Sequence, residues 1–165
     1  METDKVKLRR YEDDLNVGGI GVIILGAWDV LKVIMQLIME GKNEIDLESY
    51  SGEEHAIAVG VTIAFIAVFL LIVLLVFRIH LYIGMNASKA AKGQPYKKGY
   101  YTGAIILLVI SVAGMLAYIG NIKDIENIDI TIASFLVDLT TIYILGTVIS
   151  ATRKIRKLRS ILTQE

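Results

Sequence analysis

The hydrophobic pattern divides the chain into four long apolar stretches separated by polar ones. A hydrocarbon core about 30 Å thick is crossed by about 20 apolar residues in a helix. The stretches near residues 17–39, 56–82, 100–119 and 130–150 meet that length. The second is the purest, because Phe65 to Phe77, FIAVFLLIVLLVF, contains no polar side chain. The first is the least pure, holding Asp29, Lys32 and Gln36, and the fourth is interrupted by Asp138. The single proline, Pro95, lies between the second and third stretches, so every apolar run lacks the commonest helix breaker. The pattern predicts an all-α integral membrane protein: a four-helix transmembrane bundle over residues 17–150, preceded by a polar segment over 1–16 and followed by a tail over 151–165.

Composition agrees and charge adds a direction. At 165 residues with 55% hydrophobic content, the chain is too short for several domains and too apolar for an ordinary soluble one. Its net charge is zero, but the charges are sorted along the chain. Lys5, Lys7, Arg9 and Arg10 precede the first span. Arg78, Lys89, Lys92, Lys97 and Lys98 lie between the second and third, and Arg153, Lys154, Arg156, Lys157 and Arg159 follow the fourth. The other two connections carry only Lys42 and Lys123 and are otherwise acidic, with Glu44, Asp46 and Glu48 in one and Asp124, Glu126 and Asp129 in the other. Fourteen cationic residues against two place both termini and the central loop in the cytoplasm of a plasma or inner membrane by the positive-inside rule. This is an N-in/C-in arrangement with two short acidic outer loops and a basic inner loop. The segment METDKVKLRRYEDDLN carries both signs of charge, and no small-residue cleavage site follows it, so the first span reads as a retained signal anchor.

Ionisable side chains within a span cost roughly 2.5–3.5 kcal/mol at the helix centre and therefore call for a partner or a wet cavity. Asp29 lies twelve residues after Val17 and Asp138 twelve before Ser150, so both are expected about 18 Å from the cytoplasmic ends of their helices. Asp29, Lys32 and Gln36 share one helical face, as do Ser134, Asp138 and Thr141. Facing each other, and completed by Ser111 and Tyr118 of the third span, these stripes form a candidate polar site that opens outward and closes at the carboxylates. Two acids and one lysine at low dielectric cannot all be charged without a further cation or proton, which points to proton or cation handling. The structural alternative is a Lys32 ion pair, with the Ser and Thr stripe serving as interhelical hydrogen-bond glue.

The basic segments offer a second candidate surface. Arg78, Lys89, Lys92, Lys97, Lys98, Arg153 and Lys154 are placed to contact anionic lipid headgroups at the cytoplasmic face, with Tyr96, Tyr100 and Tyr101 at the same level. The same residues serve equally as a topology signal and an aromatic belt. In the tail, Ile155, Leu158 and Leu162 recur at helical spacing between basic residues, as in an amphipathic extension of the fourth helix along the membrane surface.

Catalytic chemistry finds no foothold. The chain has no cysteine, and Gly18 to Gly21 precede an apolar span rather than follow a strand, so a phosphate loop fails its context. His55 beside Glu53 and Glu54 makes a poor metal site, and His80 stands apart from both intramembrane acids. No cofactor and no nucleic-acid partner is expected. The length and pass number are similar to those of small four-helix multidrug exporters, but these rely on a glutamate in the first span, where this chain has Asp29 near Lys32, and no family is assigned. The reading is a small polytopic membrane protein of accessory, structural or assembly type, partnered by the bilayer and by a second copy or another membrane protein. The alternative is a proton- or cation-coupled small transporter or channel subunit using Asp29 and Asp138.

Overall fold

A computed structural model describes residues 2–44, 53–120 and 128–162. They form four helices: α1 Glu2–Glu44, α2 Glu53–Ala91, α3 Gly99–Gly120 and α4 Ile128–Leu162. All four are long and apolar enough to cross a membrane. The helices of 43, 39 and 35 residues (α1, α2 and α4) are each longer than the roughly 20 residues that span a bilayer core, whereas α3, with 22, is close to it.

The extra turns are polar. The segment before Val17 does not end where hydropathy ends but is the first four turns of α1, because Leu8, Tyr11 and Leu15 recur at three-to-four spacing and face the core. Likewise α2 continues through Lys89 to Ala91, and the basic tail is the last part of α4.

The chain divides into two compact units, one of Met1–Leu25 with Ile79–Glu165 and one of Gly26–Arg78. The first unit holds a dense core. Leu15 and Val22 of α1 join Ile83, Ala87 and Ala90 of α2, Tyr100 and Ala104 of α3, and Leu145, Val148 and Ile155 of α4, all buried. Within it α3 and α4 pack side by side. Glycines set the helix separations. A Cβ on Gly18 would lie 2.8 Å from Val148 Cγ2 and one on Gly21 2.9 Å from Ile144 Cδ1, so these two glycines admit α4. A Cβ on Gly19 would lie 2.7 Å from the Gly84 carbonyl oxygen, which puts α1 and α2 in backbone contact there. Gly99 and Gly103 face Tyr82 and Ile83, so this GxxxG serves packing within the chain.

The turn between α2 and α3 is held by its backbone. Gly93 takes the left-handed conformation at φ 68°. The Gln94 amide bonds the Lys89 carbonyl at 2.9 Å and the Gly93 amide bonds that of Ala90 at 3.3 Å, the paired arrangement that closes a helix C-terminus, with Pro95 just beyond. Asn86 then ties the loop back, donating from Nδ2 to the Tyr82 carbonyl at 2.7 Å and accepting the Lys97 amide at 2.8 Å. Because an L side chain at a left-handed position costs about 1–2 kcal/mol, Gly93→Ala is expected to lower stability by that amount and Gly93→Asn by less. Thermal unfolding in detergent, followed by circular dichroism, checks the order.

The second unit contains the later part of α1 and the earlier part of α2. Phe65 and Phe69 stack with centroids 6.4 Å apart, while Ile57, Val61, Ile63, Phe65, Val68, Leu71 and Leu74 are all exposed.

Candidate functional site

The expected polar residues of the spans are distributed over both units. Asp29 and Lys32 are half-buried on α1 in the unit Gly26–Arg78. Asp138, half-buried, and Thr141, 4% exposed, lie one turn apart on α4 in the other unit, where Ser111 of α3 is half-buried. Thr141 donates its hydroxyl proton to the Val137 carbonyl at 2.9 Å, so the lone pairs of its oxygen remain as acceptors. The side chains of Gln36, Tyr118 and Ser134 lie outside the described residues. Among the described residues no group of three or more His, Asp or Glu side chains is close enough to hold a metal ion.

The basic segments are more informative. Arg78, Lys89, Lys92, Lys97 and Lys98 are exposed. Arg153 and Lys154 are exposed too, but aromatic rings hold them. Arg153 Nε donates to the Tyr101 hydroxyl at 2.6 Å, and Lys154 Nζ sits 4.8 Å from the centroid of Tyr11. Arg156 lies over Tyr101 as well, its guanidinium carbon 4.8 Å from the ring centroid, the geometry of a cation–π contact. Tyr101, the second residue after Gly99 in α3, is thus the platform on which α4 lays two of its arginines.

Beside this platform the first unit forms a half-open cavity of about 210 Å³. Arg156 and Arg159 of α4 contribute the charge, Tyr96 and Tyr100 an aromatic wall, and Leu15 and Ile155 an apolar floor. The two tyrosine rings meet edge to face, 5.7 Å apart. Arg159 is anchored on two sides, since Nη2 donates to Glu12 Oε1 at 2.7 Å and to the Ala90 carbonyl at 3.3 Å. One guanidinium near the end of α4 thereby joins the start of α1 to the end of α2. Tyr100 and Thr152 meet hydroxyl to hydroxyl at 3.1 Å in the buried wall. A further polar bridge, from Ser88 Oγ to Asn16 Oδ1 at 2.6 Å, links α2 to α1. His80, 2% exposed, is the buried histidine of this unit.

Sequence reasoning placed Tyr96, Tyr100 and Tyr101 in an aromatic belt and counted Arg156 and Arg159 only as charge. A signal for the cavity was nevertheless present. Leu145, Val148, Ile149, Thr152 and Ile155 form the buried stripe of α4, and the same spacing continues directly into Arg156 and Arg159. No known protein family, curated protein or solved structure matches this chain.

Proposed function

We propose that this protein is a small polytopic membrane protein of accessory, structural or assembly type, working as a subunit of a larger membrane assembly, with both termini and the central loop in the cytoplasm. The sorting of fourteen basic residues to one set of segments supports the orientation. The observation that carries the functional reading is the contrast within α2. Its later part is locked into the glycine-lined core, whereas its earlier part is apolar on all sides and exposed. A helix of that kind is satisfied by lipid or by helices of other chains. Here Ala56, Gly60, Ala64 and Ala67 share an exposed face, and a Cβ on Gly60 would meet nothing within 4 Å. Small residues on such a face let another helix approach closely.

Extracted in native lipid without detergent, the protein is expected to run as a homo-oligomer or with a partner of fixed stoichiometry. A photo-cross-linker introduced at Ala64 should capture that neighbour, whereas one at Ile66, on the other side of the helix, should not. A monodisperse monomer with no cross-link from either position overturns the reading.

A second reading, proton- or cation-coupled transport through Asp29 and Asp138, draws support from the cost of ionisable groups within apolar spans and from Asp138 standing one turn from the buried Thr141. In proteoliposomes Asp29→Asn and Asp138→Asn should each abolish a pH- or ion-driven flux. Absence of flux in the parent protein removes this reading.

A further inference from the structure

The cavity beside Tyr101 has the chemistry of an anion site. Its charged lining is two guanidinium groups three residues apart on α4, and among the described residues no carboxylate lines it. Among the described residues Arg156 has no acidic partner. Its contact with Tyr101, 4.8 Å from the guanidinium carbon to the ring centroid, is a cation–π contact that engages no oxygen acceptor, and a guanidinium carries five N–H donors. The adjoining segments of α2 and α4 are basic, whereas α1 brings the acidic Glu12, followed by Asp13 and Asp14. Lys89, Lys92, Lys97 and Lys98 on one segment and the five basic residues of the α4 tail on another have no acidic residue among them.

Accounting for protons narrows the ligand. Thr152 donates to the Val148 carbonyl at 2.7 Å, so in the contact at 3.1 Å it is Tyr100 that donates and Thr152 that accepts. Neither of these hydroxyls then has a proton to offer the cavity, and the two guanidinium groups, with the Tyr96 hydroxyl, are the donors left in its lining. A ligand must bring acceptors and negative charge. A forked, planar donor is best matched by the oxygens of a phosphate or carboxylate. The volume, about 210 Å³, is below the roughly 300–1,000 Å³ of sites for drug-sized molecules, and the Leu15 and Ile155 floor suits a short carbon unit beside the anion.

We propose that this cavity binds a phosphate monoester, gripped by Arg156 and Arg159, and that Glu12 is the internal carboxylate with which the phosphate competes for Arg159. The ester can belong to a lipid headgroup or to a small soluble molecule, and the site is independent of whether the chain assembles with other membrane proteins. Glu12 holds one nitrogen of Arg159 at 2.7 Å, so it keeps the guanidinium in place when the cavity is empty and lowers the net positive charge that a phosphate meets.

The test uses the full chain purified in detergent. Native mass spectrometry reads retention of phosphatidic acid against phosphatidylcholine, and calorimetric titration reads glycerol 3-phosphate. The parent protein is expected to retain phosphatidic acid in preference to phosphatidylcholine, or to bind glycerol 3-phosphate. The first result alone assigns the ester to a lipid and the second to a soluble molecule, and either supports the site. Arg156→Gln should weaken binding about tenfold or more, the size of one charge-assisted hydrogen bond. Arg156→Lys, which keeps the charge but loses the fork, should weaken it less and covers the case in which the glutamine variant fails to fold. Glu12→Gln should tighten it severalfold, and the pair Lys97→Gln with Lys98→Gln should leave it unchanged. Failure of the parent to bind either probe overturns the proposal. So does a lysine pair variant that loses as much as Arg156→Gln, because diffuse surface charge would then account for the binding.

Discussion

Gly84→Ala is expected to destabilise the first unit by about 3 kcal/mol, the upper end of the usual penalty for overpacking. The reason is the identity of the atoms that the new methyl group would meet. On Gly84 it would overlap the Gly19 carbonyl oxygen and the Ile23 side chain, and on Gly19 it would lie 2.7 Å from the Gly84 carbonyl oxygen and 3.0 Å from the Ser88 amide nitrogen. A flexible side chain can rotate away from such a contact, but a helix backbone moves only as a whole. The helices would separate here, and the Ser88 to Asn16 hydrogen bond one turn away would lengthen with them. Gly114 and Gly146 supply the control, since a Cβ on either meets nothing within 4 Å. Alanine there should change stability by less than about 1 kcal/mol, in the stabilising direction, by reducing the freedom of the unfolded chain. Unfolding by titration of a denaturing detergent separates these outcomes. Similar midpoints for Gly84→Ala and Gly146→Ala would refute the backbone contact.

That contact illustrates what hydropathy can and cannot disclose. Apolar runs of twenty residues announce helices because a bilayer leaves the backbone no other way to satisfy its hydrogen bonds, and all four helices are found where the runs lie. Their ends are another matter. The α1 segment before Val17 is rich in charge, and it is helical because Leu8, Tyr11 and Leu15 bury one face among the other helices of the unit. A hydropathy window averages that face away. The position of the dense core is hidden for a related reason: lipid is as apolar as leucine, so composition states what a membrane accepts and is silent on which faces interlock. Glycines look alike in a sequence, yet Gly19 and Gly84 are pressed together while Gly60 is open. Only the partner backbone makes that distinction. The cavity shows the same limit, because Glu12 and Arg159 are 147 residues apart and nothing local to either residue announces the other. Asp29, Lys32 and Asp138 were conspicuous through the cost of charge in a span, a property of each residue singly.

The buried hydroxyl pair yields the other large effect, and its sign depends on which oxygen holds the shared proton. Thr152 commits its own proton to the Val148 carbonyl at 2.7 Å, which leaves Tyr100 as donor across 3.1 Å. Tyr100→Phe therefore removes a donor and leaves Thr152 still bonded, a loss of about 0.5–1.5 kcal/mol. Thr152→Val keeps the shape but removes the acceptor, so the hydroxyl of a tyrosine that is 1% exposed is stranded. Stranding a buried polar group costs about 1–3 kcal/mol, and this variant should be the less stable of the two. Combining the substitutions removes the stranded group together with its lost partner. The double variant should therefore be no less stable than Thr152→Val alone, and a cycle of unfolding measurements in detergent should show strong non-additivity. If the two losses simply add, the hydroxyls do not depend on one another. The Tyr100 proton would then be free to face the cavity and would join the guanidinium groups as a donor to a ligand there.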